Sequence, residues 1–386
     1  MDSFQILEKL ISYKTISINS NLELISFCQK LLENIGARIK IIPNSENTKS
    51  NLFATIGPEN TPGIMLSGHT DVVPIEGQEW KYPAFKMTKK GNRLYGRGTA
   101  DMKSFISCAL HAAMKASNMK LNIPLHLAFS YDEEIGCVGV RSMIRMLKNN
   151  KPTPLFCIVG EPTSMQIASG HKGKVNLSVK IKGKEAHSAL APNGLNAIYL
   201  SIQLINEIQT IQEKIKSESK ADKEFEVPYT TIEVCKIQGG NAPNIVPNSA
   251  SFLFEIRNIP KDDPLKILSL IKNRGDEIIS SYKKSFPEIE IQIDIINQYP
   301  SLNTPKNSEI LNFLKSITGN NSTSKVSFGT EGGLFSNELN IPTAICGPGS
   351  MQQGHKPDEY IEVGQIEKCD LVLNNLLIKL EQGFTN

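Results

Sequence analysis

The 386-residue chain has no stretch approaching the ~18 apolar residues that a membrane-crossing helix needs, so no spanning helix is expected. It also lacks an excess of either charge: 42 Lys and Arg stand against 39 Asp and Glu, a formal net charge of +3. The lysines are spread out rather than massed, and such a surface calls for neither nucleic acid nor an acidic membrane as partner. Seven cysteines are present, an odd number, and none forms a Cys-x-x-Cys pair. That argues against a disulfide framework and for reduced thiols. The start, Met1-Asp2-Ser3-Phe4-Gln5, lacks a basic region followed by an apolar run, so no secretory signal is expected and a cytoplasmic location is. Internal repeats and low-complexity segments are missing as well. What is there is ordinary globular composition, 40% hydrophobic and 21% charged, at a length that suits two domains.

Short apolar runs separated by helical patterns fill the first 170 residues. Residues 21–35 carry apolar side chains at helical spacing, and Gly36 stands where a left-handed cap belongs. Strands are expected at 38–42, 51–56, 64–67, 124–131, 155–159 and 341–346. This pattern predicts an α/β fold with a mostly parallel sheet covered by helices. From Val175 the order changes to strand, helix, strand, strand, helix, strand (175–182, 194–217, 229–237, 249–256, 263–283, 288–296). That is the ferredoxin-like α+β arrangement. The expected organisation is therefore a catalytic domain in two parts, 1–174 and 298–386, with a domain inserted at 175–297. The Lys/Glu/Ser-rich run 214–226 reads as a solvated helix end and loop.

Polar residues gather where those strands end. His69 and Asp71 follow the strand at 64–67, Glu133 and Glu134 follow the strand at 124–131, and Glu161 follows the strand at 155–159. His355 comes after Gly347-Pro348-Gly349, and Asp101 opens an apolar helix. Ligands bind beyond the carboxyl ends of the strands in open α/β sheets. Taken singly, a carboxylate after a strand is more often a helix N-cap, and a lone histidine is ordinary; the coincidence at several strand ends is what points to a site. Two histidines with several carboxylates and no cysteine suit a borderline or hard divalent cation. One carboxylate can bridge two ions, which would then clamp one water as nucleophile. Of the adjacent pair Glu133 and Glu134, one would bind metal and the other take the proton. Asp71 can accept the other ring N–H of His69. On ligand types alone a two-metal phosphoesterase is also open, as is a non-catalytic metal-binding protein.

Ser67-Gly68-His69-Thr70-Asp71-Val72-Val73-Pro74 resembles the first signature of the co-catalytic zinc amidohydrolases. Leu94-Tyr95-Gly96-Arg97-Gly98-Thr99-Ala100-Asp101-Met102-Lys103 resembles the second, and Asp132-Glu133-Glu134-Ile135-Gly136 the third. Gly160-Glu161-Pro162-Thr163-Ser164 and the stretch from Gly347 to Tyr360 complete the set, in order, over nearly the whole chain.

The resemblance implies two divalent metal ions, zinc with cobalt as the alternative. Asp101 would bridge them, with His69 and Glu161 completing one site and Glu134 and His355 the other. Glu133 matches the general base and Asp71 the orienter of His69, and a cis peptide is implied at Asp101-Met102. Gly183-Lys184-Glu185-Ala186-His187-Ser188 resembles the segment whose histidine polarises the scissile carbonyl across a homodimer formed through the inserted domain. A loop histidine in solvent is the alternative reading of His187. Asn244 and Arg257 match positions that hold a substrate carboxylate, although Arg257 at a strand end also suits a structural salt bridge. The implied substrate is a small N-acyl amino acid. Details around His171-Lys172-Gly173 and His355-Lys356-Pro357 lean to the branch that deacetylates N-acetylornithine in arginine biosynthesis, with the N-succinyl-diaminopimelate branch second.

Overall fold

The computed structural model describes residues 1–149, 152–218 and 220–383. The chain divides into two compact units, one from Met1–Gly170, Leu302–Lys325 and Thr330–Asn386, the other from His171–Ser301 and Val326–Gly329. No helix among the described residues is long and apolar enough to cross a membrane.

In the first unit the sheet runs Arg38–Pro43, Ser50–Ile56, Leu125–Ser130, Ile64–His69, Phe156–Pro162, Thr343–Gly347, Ile167–His171, Leu302–Asn303. Its four central strands, from Leu125–Ser130 to Thr343–Gly347, are parallel, and Arg38–Pro43, Ser50–Ile56 and Ile167–His171 pair antiparallel. All residues of the three strands Leu125–Ser130, Ile64–His69 and Phe156–Pro162 are buried, which is why each reads as a continuous apolar run rather than an alternation. The helix Lys103–Ala116 adds Phe105, Ile106 and Leu110 to one core with Leu66, Leu127, Leu373 and Leu377. Phe105 presses on Gly160 so closely that a Cβ there would lie 1.9 Å from the ring. The expected helix at 21–35 forms over Leu22–Glu33, and Gly36 takes φ +72° beyond it. Two strands run further than their apolar residues: His69 and Glu161 sit inside the strands Ile64–His69 and Phe156–Pro162.

The second unit is the ferredoxin-like domain. Its antiparallel sheet runs Thr231–Gly239, Ser249–Arg257, Lys174–Lys182, Glu290–Tyr299, with helices Ala197–Glu218 and Pro264–Tyr282. Alternation is clean here: Val175, Leu177, Val179 and Ile181 point into a core with Leu200, Leu204, Phe252, Phe254 and Ile271. The first helix starts at Ala197 rather than 194, because Gly194 is extended and a short helical turn, Ser188–Asn193, intervenes. The 214–226 run is the end of that helix and the loop after it, save residue 219, which lies outside the described residues.

Candidate metal centre

Because the central strands are parallel, their carboxyl ends share one edge of the sheet. His69 and Glu161 are near the ends of adjacent strands, paired in register through Ser67 and Val159. Glu133 and Glu134 lie in the turn just after Leu125–Ser130. Asp101 immediately precedes the helix Lys103–Ala116, through a cis Asp101-Met102 peptide. His355 comes in on the loop before Tyr360–Glu362, with φ +61°.

These side chains meet. His69 Nε2 lies 3.0 Å from Asp101 Oδ1 and 3.7 Å from Glu161 Oε1. His355 Nε2 lies 3.2 Å from Asp101 Oδ2 and 3.1 Å from Glu134 Oε2. The two oxygens of Asp101 thus face two different histidines, each with its own glutamate. Ligand atoms of His69, Glu133 and Glu161, and of His69, Asp101 and Glu134, fall within 4.8 Å of one another. Two donors on one tetrahedral cation stand ~3.4 Å apart at ordinary bond lengths, so these separations fit bound cations without large movement.

Asp71 organises the cluster from below. His69 Nδ1 hydrogen-bonds the carbonyl oxygen of Asp71 at 3.0 Å, while the Asp71 carboxylate is 3.6 Å away. The residue is the expected one, but the acceptor in hydrogen-bond range is its backbone. A carbonyl only accepts, so Nδ1 carries the proton and Nε2 is turned toward the acids. The carboxylate takes the Ser17 hydroxyl at 2.7 Å and the backbone N–H groups of Glu133 and Glu134 at 3.1 and 3.2 Å.

Crowding of buried acids sets the electrostatics. Burial pushes the Glu133 carboxyl up to about 8, with Glu134 and Glu331 adding repulsion. Burial and Asp101 push Glu134 up to about 7, and burial raises Glu161 well above the carboxylate range. Asp101 goes the other way: burial opposes its ionisation, but hydrogen bonds from His355 and His69 outweigh it and hold the carboxyl low. Contacts with Asp101 and Glu134 raise His355 to about 10. A divalent cation relieves this repulsion and displaces the imidazole protons.

The other expected residues belong to the inserted unit. His187 is exposed, and its Nδ1 accepts the Ala189 N–H at 3.1 Å. It bridges to Ile245, and Ser188 N–H donates to the Asn244 carbonyl at 2.9 Å, so His187 and Asn244 are neighbours. Arg257 makes the structural contacts its position allowed: Nε to Glu255 at 2.9 Å and Nη1 to the Tyr299 hydroxyl at 3.1 Å.

The profile of peptidase family M20/M25/M40 matches residues 65–379. The chain belongs to that family. It is 32% identical over 372 residues to an acetylornithine deacetylase of Myxococcus xanthus, covering 95% of this chain and 94% of that protein. An M20 family metallo-carboxypeptidase of Sulfolobus solfataricus has the same fold, with a TM-score of 0.78 at 20% identity over 99% of this chain and 100% of the other. So does a Bacillus subtilis dinuclear metal binding peptidase, with a TM-score of 0.70 at 14% identity over 98% of each chain.

This M20 chain is a hydrolase, and its donor set of two imidazoles with carboxylates and no thiolate suits borderline divalent cations such as zinc or cobalt. Several residues beyond the expected site residues surround the set. Glu331, just before the helix Gly332–Leu339, is buried with one oxygen unpartnered, and burial pushes its carboxyl up to about 7. The buried Cys137 thiol donates to Glu133 Oε1 at 3.3 Å. Lys49 pairs with Asp132 at 2.6 Å. Only the carboxylate beside Gly332-Gly333 offered a signal; Ser17 and Lys49 are remote in sequence from what they touch.

Proposed function

We propose that this M20 hydrolase is a dinuclear metal-dependent deacylase that converts N-acetylornithine to ornithine and acetate, a step of arginine biosynthesis. The observation that carries the reading is Asp101, whose oxygens face separate histidine–glutamate pairs. The substrate rests on near full-length similarity to acetylornithine deacetylases.

In this reading Asp101 with His69 and Glu161 holds one cation, and Asp101 with Glu134 and His355 the other. When bound, the two cations supply Lewis acidity at the scissile carbonyl and make a nucleophilic water available at neutral pH. Glu133 takes the proton from the attacking water and passes it to the leaving amine. Asp71 fixes the tautomer of His69 and the backbone of Glu133. His187, presented by a second copy of the chain, donates to the developing oxyanion. Asn244 and Arg257 hold the substrate carboxylate, with Glu255 and the Tyr299 hydroxyl holding the guanidinium in place. The assembly is a homodimer through the inserted domain, working in the cytoplasm.

The test is hydrolysis of N-acetylornithine and N-succinyl-diaminopimelate side by side, with zinc or cobalt added to metal-stripped protein. Turnover of acetylornithine alone supports the proposal in full. Preference for the succinyl compound keeps the mechanism and replaces the substrate, and silence on both with two metals bound redirects the search to another acyl amino acid.

A further inference from the structure

We infer that Glu359 is a positioning residue that holds the Asp101 and His355 loops in register for cation binding; this rests on the dinuclear reading above. The Glu359 side chain is 1% exposed and lies four residues after His355. Its Oε1 accepts the backbone N–H groups of Ala100 at 2.8 Å and of Asp101 at 3.1 Å. The Gly98 N–H reaches both oxygens at 3.1 Å, and Arg97 Nη1 reaches Oε2 at 2.8 Å. The Glu359 carbonyl also accepts the Gly96 N–H at 2.9 Å. Segment 96–101 belongs to no strand or helix, so its amides have no ladder to close on. The Arg97 and Thr99 amides close on the Ala84 and Gly96 carbonyls, and those of Gly98 (φ +87°), Ala100 and Asp101 close on the one carboxylate.

Glu359 reaches His355 by a second route. Arg97, also 1% exposed, donates through Nη2 to Gln78 Oε1 at 2.6 Å, and its guanidinium lies 4.9 Å from the Trp80 ring. The Gln78 amide in turn donates to the His355 carbonyl at 3.0 Å. The circuit Asp101, Glu359, Arg97, Gln78, His355 therefore closes on the backbones of two proposed ligands. Asp101 must present each oxygen to a different histidine, which demands a fixed Cα–Cβ direction. The hydrogen bond on its own N–H, accepted by Glu359, supplies that constraint. Loss of a partner outside the metal ligands lowers metal affinity by about 10–100-fold.

The test is cobalt titration of the full metal-stripped chain, read by calorimetry and by visible absorption. Glu359→Asp keeps a charge opposite Arg97 but withdraws the carboxylate by one methylene. The expected result is cobalt binding about 10–100-fold weaker, with an altered absorption band, while unfolding in EDTA stays cooperative at a lower melting temperature. Affinity within about threefold of native, with the native spectrum, overturns the role. Where Glu359→Asp fails to fold, Arg97→Met combined with Glu359→Met removes both buried charges and the acceptor of the Asp101 N–H at once, and native-like cobalt affinity in that pair overturns the role equally. A native chain that takes up no cobalt overturns the dinuclear reading itself, so the two failures are distinct.

Discussion

The carboxylate of Asp71 accepts the backbone N–H of Glu133 at 3.1 Å. The residue whose carbonyl orients His69 thereby also anchors the turn that carries the proposed base and one proposed ligand. Asp71→Asn keeps the shape but turns an amide N–H toward donors. Under the proposed mechanism kcat should fall about 10–100-fold. Buried N–H groups left without an acceptor should cost about 1–3 kcal/mol, seen as a lower melting temperature. Native turnover in this variant would remove Asp71 from the machinery.

Glu133→Gln separates proton transfer from metal binding. It should lower kcat by about 10²–10⁴-fold. Metal content measured by mass spectrometry should stay at two per chain. Loss of an ion would instead make Glu133 a ligand, as its place beside His69 and Glu161 allows.

Metal removal should expose a pH dependence of stability. The carboxyls of Glu133, Glu134 and Glu331 have ordinary values of 4.5 and folded values of about 8, 7 and 7. Raised acids favour folding fully below pH 4.5, and that contribution is lost as pH rises through their folded values. His355 acts in the same direction, losing its contribution between 6.5 and about 10. In EDTA the melting temperature should therefore fall by several degrees from about pH 5 to about pH 9. Saturating cobalt should flatten the fall, since a cation favours the ionised carboxylates. Parallel curves with and without cobalt would rule out cation binding by this cluster.

Two glycines should respond oppositely to alanine. At Gly160 the new methyl meets Phe105 at 1.9 Å, and the overpacking should cost ~1–3 kcal/mol or more. At Gly364, near the start of the helix Val363–Gln382, a Cβ meets nothing within 4 Å. There, restriction of the unfolded chain should stabilise by up to ~1 kcal/mol. Thermal unfolding of the two variants checks both signs.

Much of the architecture was legible in the sequence. Unbroken apolar runs such as Ile64-Met65-Leu66 mark strands buried on both faces, and the alternation of Val175, Leu177, Val179 and Ile181 marks a strand covered on one. Each is a local consequence of how many faces a strand buries. The same runs told where strands end, and so where His69, Glu133, Glu134 and Glu161 would cluster. Only the tertiary structure decided which atoms meet. His69 takes the Asp71 carbonyl at 3.0 Å, while the carboxylate stands 3.6 Å away. Each oxygen of Asp101 faces its own histidine, one from the strand Ile64–His69 and one from the His355 loop. Glu359 stood in a recognised motif without a role, for its carboxylate's partners are the Arg97 guanidinium and the amides of Gly98, Ala100 and Asp101. Periodicity is written in neighbours along the chain, whereas hydrogen-bond partners are chosen by sheet order and loop closure, which bring distant residues together.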